Sequence, residues 1–238
     1  TVAFPAIVLQ QGIFRSTPLG PAAIASVGDP APGSGGYNFS GFSPPRAAPG
    51  GAVFVAGLRG IGLPDVTAVY LADAAGLHLC LLTGQPVPGH PGLIVRSFPD
   101  LAVNGSLVSI MAQTGTATTT TGTGLWQGPA GAMALIAHTG DVATGMPAGR
   151  TFTTFYAAPS ITATGLNAFD ATATGNNDGL WSGAPLSLLH QAGEPIATMP
   201  GATFAYVWDP VLNAAGSMTV LGTINDGSLH EALWFSSG

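Results

Sequence analysis

Pro99-Asp-Leu-Ala-Val-Asn-Gly105, followed at once by Ser106-Leu-Val-Ser-Ile-Met111, is the stretch whose reading decides the fold. A proline, then a glycine six residues later, then an apolar strand: the same order recurs at Pro45/Gly51, Pro159/Gly165 and Pro210/Gly216. The strands that follow read Ala52-Val-Phe-Val-Ala56, Leu166-Asn-Ala-Phe-Asp-Ala171 and Ser217-Met-Thr-Val-Leu221. A second landmark is an aliphatic–aromatic pair at Ile13-Phe14, Val69-Tyr70, Leu125-Trp126, Leu180-Trp181 and Leu233-Trp234, with aromatic spacings of 56, 56, 55 and 53. A third closes the next apolar run at Gly28-Asp29, Gly84-Gln85, Gly140-Asp141 and Gly193-Glu194. Three independent markers share one period, so the chain is an internal repeat.

Each period holds four strand-sized segments. In the second unit they are Val53–Leu58 (a), Ala68–Ala72 (b), Leu77–Leu82 (c) and Gly92–Phe98 (d), each bounded by Gly, Pro, Asp or Asn. No helix-period stripe of useful length is present, and the β-branched, glycine-punctuated texture argues for an all-β chain. Four short strands per unit at this period predict a β-propeller-like single domain, because a lone sheet cannot bury both faces and must stack on its neighbours. The units run Thr1–Gly51, Ala52–Gly105, Ser106–Gly165 and Leu166–Gly216, and Ser217–Gly238 repeats only strands a and b. The expectation is four complete four-stranded blades and a partial fifth. The aliphatic–aromatic pairs are expected to fill the space between sheets rather than to form a sugar-stacking platform.

Composition narrows the function. Of 238 residues, five are Arg, none is Lys and 11 are acidic, for a net charge of −6; charged residues make up only 7% of the chain. Ordinary globular chains carry roughly 25%. Gly and Pro together reach about 23%, yet 46% of residues are hydrophobic, which excludes disorder through low hydrophobicity. Five scattered arginines cannot line a phosphate groove, so no nucleic-acid partner is expected. No apolar run approaches the ~18 residues of a membrane-spanning helix. The chain begins at Thr1, which fits a removed signal peptide or trimming, and we expect an extracellular or cell-surface location. Cys80, alone in Leu77-His-Leu-Cys-Leu-Leu82, reads as a small buried hydrophobe.

The repeat, P-x-x-x-x-x-G before an apolar strand, then G-[IL]-[FW], then an apolar run ending G-[DE]-x-x-P, is similar to that of uncharacterised bacterial secreted repeat proteins whose units read roughly P-x-I-N-x-x-G-x-V-A-F. The resemblance covers the whole chain and is clearest at Pro210-Val-Leu-Asn-Ala-Ala-Gly216. At Pro99–Gly105 the Asn is displaced to 104, and Pro45–Gly51 lacks it. It implies a secreted propeller-like fold and carries no active-site motif.

Catalytic signatures are absent. There is no G-x-S-x-G elbow, no sialidase box with an arginine triad, and no H-x-H or H-E-x-x-H among His78, His90, His138, His190 and His230. No cofactor or metal is expected, and no enzyme activity, with a glycosidase- or lyase-type pair of converging acids as the remaining catalytic alternative. Asp29, Gln85, Asp141 and Glu194 recur at one turn position and are expected to cap turn N–H groups. The a–b loops diverge between units and hold the candidate ligand-binding residues Asp65, Asn176, Asn177, Asp178 and Asp226, with a Thr run at 118–121. The half unit suggests an open strand edge for assembly, assigned to Met218, Val220, Leu233 and Trp234 with Val2 and Phe4 at the other end. The leading expectation is a secreted, non-catalytic subunit that self-assembles, its partners copies of itself; the alternative is a lectin-like module binding a glycan through the a–b loops.

Overall fold

The computed structural model describes residues 11–48 and 50–236, and all regular structure in them is strand. Among the described residues nineteen strands form five antiparallel sheets. The first sheet pairs β1 (Gly12–Thr17) with β2 (Gly20–Ser26). The second joins β3 (Asn38–Phe42) and β4 (Arg46–Ala48) to β5 (Gly51–Arg59), then β6 (Val66–Asp73) and β7 (Gly76–Leu82). The third runs β8 (Ile94–Asn104), β9 (Leu107–Gly115), β10 (Thr120–Pro129), β11 (Ala134–His138). The fourth joins β12 (Phe152–Phe155) and β13 (Ser160–Ile161) to β14 (Asn167–Ala173), then β15 (Asn177–Ser182) and β16 (Ser187–Gln191). The fifth holds β17 (Thr203–Leu212), β18 (Met218–Asn225) and β19 (Leu229–Ser236).

The sheets are phased one strand earlier than the sequence units. The segment d of one unit hydrogen-bonds to segment a of the next, so the unit boundary at Gly105 falls inside the β8–β9 hairpin, where Asn104 lies opposite Leu107. The physical reason lies in the two kinds of connection. Gly105 adopts a positive φ of 60° and turns the chain straight back on itself, whereas the longer connection after segment c, residues 83–93 in the second unit, carries it on to a new sheet. Among the described residues, three sheets fill all four strand positions, the first fills two and the fifth three. The landmark proline has a uniform effect. Lacking an N–H, it breaks the sheet's leading strand between β3 and β4 and between β12 and β13, and it lies in the bulges of β8 (Ser97/Asp100) and β17 (Trp208/Val211).

Consecutive sheets pack face to face, and the aliphatic–aromatic pair makes each junction. Neighbours on a strand point to opposite faces. Val69 therefore lies in the core shared with the third sheet, beside Val108, Ile110 and Trp126, while Tyr70 lies in the core shared with the first, beside Ile13. Leu125 joins Phe152, Phe169 and Trp181; Leu180 joins Phe204, Val220 and Trp234. Two of the aromatics are tethered as well: Tyr70 Oη donates to the Pro32 carbonyl at 2.9 Å and Trp181 Nε1 to that of Thr144 at 2.8 Å. The leading strands are linked along their length. Arg46 pairs with Asp100 at 2.5 Å, Asp100 accepts from the Ala158 N–H at 2.8 Å, Asn104 donates to the Ile161 carbonyl at 3.1 Å, and the Leu212 N–H donates to Ser160 at 3.0 Å.

Equivalent positions should therefore differ in cost according to whether a following sheet covers them. Leu180→Ala should destabilise by about 2–5 kcal/mol and Trp181→Ala by about 3–5 kcal/mol. Leu233→Ala, at the same repeat position but uncovered, should stay within about 0.5 kcal/mol of the parent. Denaturant unfolding midpoints at a fixed m-value check the ranking.

Candidate interaction site

The connections between sheets form a rigid, repeated element. The Gly28, Gly84, Gly140 and Gly193 N–H groups donate to the carbonyls of Phe39, Val95, Phe152 and Phe204 at 2.7–2.8 Å, and Ala31, Val87, Ala143 and Ile196 are buried beneath the turns. The side chains of Asp29, Gln85 and Glu194 accept from the N–H three residues earlier, on Ser26, Leu82 and Gln191, at 2.8–3.1 Å. They do the structural work expected of them. Asp141 departs: its carboxylate lies 3.2 Å from His90 Nε2, and the His90 ring lies against His138 with centroids 4.0 Å apart. His138 is buried and bonded on both nitrogens, to Thr114 and to the Thr139 carbonyl, and burial, then His90, hold its pKa down. His78, His190 and His230 lie beside Asp73, Glu194 and Asp226. Among the described residues no three His, Cys, Asp or Glu side chains are placed to hold one metal ion. Burial pushes the Cys80 thiol up to about 12, so it is inert at neutral pH.

The polar residues of the a–b hairpins bond locally. Asp65 is held by Arg59 at 2.8 Å, and both side chains are exposed. Asn176 takes a left-handed turn conformation with φ 56°. Asp178 accepts from the Thr172 hydroxyl at 2.6 Å, and Asp226 lies 3.3 Å from His230 Nε2. Asn177 borders a cavity of about 360 Å³ together with Arg150, Gln191 and Glu194. Three different hairpins carry these five residues, and the side-chain bonds of Asp65, Asp178 and Asp226 stay within their own hairpins.

The uncovered surface lies at the end of the stack. β19 pairs with β18 on one side, and its other edge has no partner among the described residues. Leu229, Leu233 and Phe235 of β19 stand exposed with Tyr206 and Val211 of β17; Leu233 is 70% exposed, where Val69, Leu125 and Leu180 are fully buried. At the opposite end Phe14, which stands where Tyr70, Trp126 and Trp181 stand, is 55% exposed. A cavity of about 430 Å³ opens beside β19, lined by His190, Ala197, Thr198, Phe204, Trp234 and Phe235. Of the residues assigned to an assembly edge, Leu233 and Trp234 lie on β19. Met218 and Val220 do not form an edge: they are buried on β18, the middle strand, which is paired on both sides. Val2 and Phe4 lie outside the described residues.

One buried group escapes repeat reasoning because it breaks the repeat. Asp170 faces Leu180 across β14–β15, where the corresponding pairs are Val55–Val69, Met111–Leu125 and Leu221–Leu233. An acid thus occupies an apolar position at the junction of the fourth and fifth sheets. It is 2% exposed, and its Oδ2 has no hydrogen-bond partner. Burial, reinforced by the charges of Asp209 and Asp178, pushes its pKa up to about 6. The signal was readable as the one charged residue in an aligned apolar column.

The family model described as "Family of unknown function (DUF7453)" matches residues 5–238, and the chain belongs to that family. No curated protein matches. No solved structure matches either.

Asp170 sets a pH dependence. Its folded pKa lies above the unfolded value of 3.8, so the folded chain holds the extra proton between them. The stabilisation is fully present below pH ~4, falls as pH rises, and is gone above about 6. Asp170→Asn removes this trend. Its stability relative to the parent should rise by about 1–3 kcal/mol between pH 4 and pH 7.5, as read from paired denaturant titrations.

Proposed function

We propose that the chain is a secreted, non-catalytic structural subunit that associates head to tail with copies of itself at the cell surface or in an extracellular polymer. One observation carries the reading: the two ends expose the two halves of a single junction. Inside the molecule each junction sets a buried aliphatic residue of one sheet against the aromatic residue of the next, buried at Tyr70, Trp126 and Trp181 and half-buried at Trp234. The last sheet leaves its aliphatic member, Leu233, uncovered, and the first leaves its aromatic member, Phe14. Bringing the fifth sheet of one copy against the first sheet of another repeats the internal contact. A contact between two different surfaces is heterologous, so it propagates into a ring or an open filament.

The finer architecture follows the same logic. Successive sheets that share cores and link their leading strands fit blades of a propeller-like arc, with β3/β4, β8, β12/β13 and β17 innermost. The sparse charge also supports assembly, since 7% charged residues leave little to solvate a permanently exposed surface. An extracellular location accords with the lone, buried cysteine and with a repeat resembling that of secreted proteins.

Sedimentation velocity across a concentration series, with electron microscopy of the concentrated sample, tests the reading. Association into rings or filaments is expected, weakened at least ten-fold by Leu233→Asp or by Phe14→Asp. Mixing the two variants should restore one productive interface, giving a heterodimer that neither forms alone. A monodisperse monomer at every concentration overturns the proposal.

A further inference from the structure

We propose that the free edge of β19 is a receptor for a single extended strand from another polypeptide, uncharged and carrying a leucine-type side chain opposite Trp234. The register of the other sheets specifies this occupant. In each complete sheet the aromatic residue of the third strand faces a leucine on the fourth: Tyr70 faces Leu79, Trp126 faces Leu135 and Trp181 faces Leu188. In each of these pairs the register slips at one place, between the aliphatic and the aromatic residue. The leucine is packed close. A Cβ on Gly124 would lie 2.6 Å from the Trp126 ring and 3.0 Å from Leu135 Cδ1; on Gly179 the corresponding distances to Trp181 and Leu188 are 2.7 and 3.0 Å.

The fifth sheet has the aromatic without the leucine. Trp234 faces Val220 on its inner side and has no cross-strand neighbour on the outer side among the described residues. There the ~430 Å³ cavity opens, bordered by Trp234, Phe204 and the Ala197–Thr198 stretch of the preceding connection. In the fourth sheet the matching turn residue is Gly145, whose added Cβ would lie 2.5 Å from Leu188 Cβ. The cavity therefore occupies the place where a fourth-strand leucine sits in the other sheets. An incoming strand would hydrogen-bond the outward N–H and C=O groups of β19 and lower its leucine onto Trp234, the mode by which an open sheet edge recruits a peptide. A charged side chain at that point would be buried against Trp234 and Phe204, and the two ionisable groups that also line the cavity, His190 and Glu194, already bond each other and the Gln191 N–H, which sets the specificity. This inference concerns the edge of the fifth sheet and does not rest on the head-to-tail contact, which uses its face.

The test adds a synthetic peptide of residues 184–192, the strand that covers Trp181, to the Leu233→Asp chain, whose head-to-tail face is disabled. Tryptophan fluorescence and hydrogen exchange at Leu229–Phe235 are followed. Saturable binding that slows exchange of the outward β19 amides is expected, weakened at least ten-fold by L188D in the peptide. Three results overturn the proposal: no binding up to millimolar peptide, equal binding of the L188D peptide, or outward β19 amides already protected in the free chain. Because the face is disabled throughout, a failure here leaves the head-to-tail reading standing, and loss of head-to-tail association leaves this one standing.

Discussion

The structure depends on one local constraint: two adjacent side chains of a β-strand must point to opposite faces. An aliphatic residue followed by an aromatic one on the third strand therefore commits each sheet to two neighbours, one on each side. The internal sheets meet that commitment, and Val69, Tyr70, Leu125, Trp126, Leu180 and Trp181 are buried as a result. At the two ends it cannot be met within the described residues. Phe14 and Leu233 are exposed for that reason alone, since both occupy core positions of the repeat. The interaction surface is thus an unfinished core rather than a separately built site.

Turn chemistry supports that arrangement from below. The connection between sheets is held by the same backbone hydrogen bonds in four copies, and its acidic or amide side chain closes the turn in three of them. Rigid connections fix the spacing between sheets, so one aliphatic–aromatic pair can serve every junction. The fourth turn spends its acid differently, on His90, and brings two histidines of separate units together. Asp170 is the other local exception. Its buried, unpaired oxygen makes the stability of the junction between the fourth and fifth sheets respond to pH in the weakly acidic range.

Much of the fold was legible because its signals are local and repeated. Period, strand content, the between-sheet role of the aliphatic–aromatic pairs, the turn role of Asp29, Gln85 and Glu194, and the burial of Cys80 all follow from residue type and spacing. Of the polar set, Asp65, Asn176 and Asp226 lie in hairpin turns as the sequence predicts, whereas Asn177 and Asp178 open strand β15. Hairpin residues bond to near neighbours, as Asp65 does to Arg59 and Asp178 to Thr172, and spacing along the chain cannot show that. Met218 and Val220 were misplaced at an edge because a half unit of two strands appeared to have two free sides. In space β17, supplied by the preceding unit, covers one of them.

The amino-acid sequence by itself determined that the chain is a repeated all-β protein, that its cores lie between sheets, and where each turn falls. These are consequences of side-chain alternation and of glycine and proline geometry, which act within a few residues. Only the tertiary structure decided how strands are grouped into sheets and which repeat positions remain uncovered. Grouping rests on which of the neighbouring strands hydrogen-bond, as Asn104 opposite Leu107 shows, and coverage rests on packing between sheets one repeat apart, as of Val69 on Trp126. Leu180 and Leu233 are the same letter in the same context, and one is fully buried while the other is 70% exposed. The difference is the presence of a following sheet, and no property of the residue encodes it.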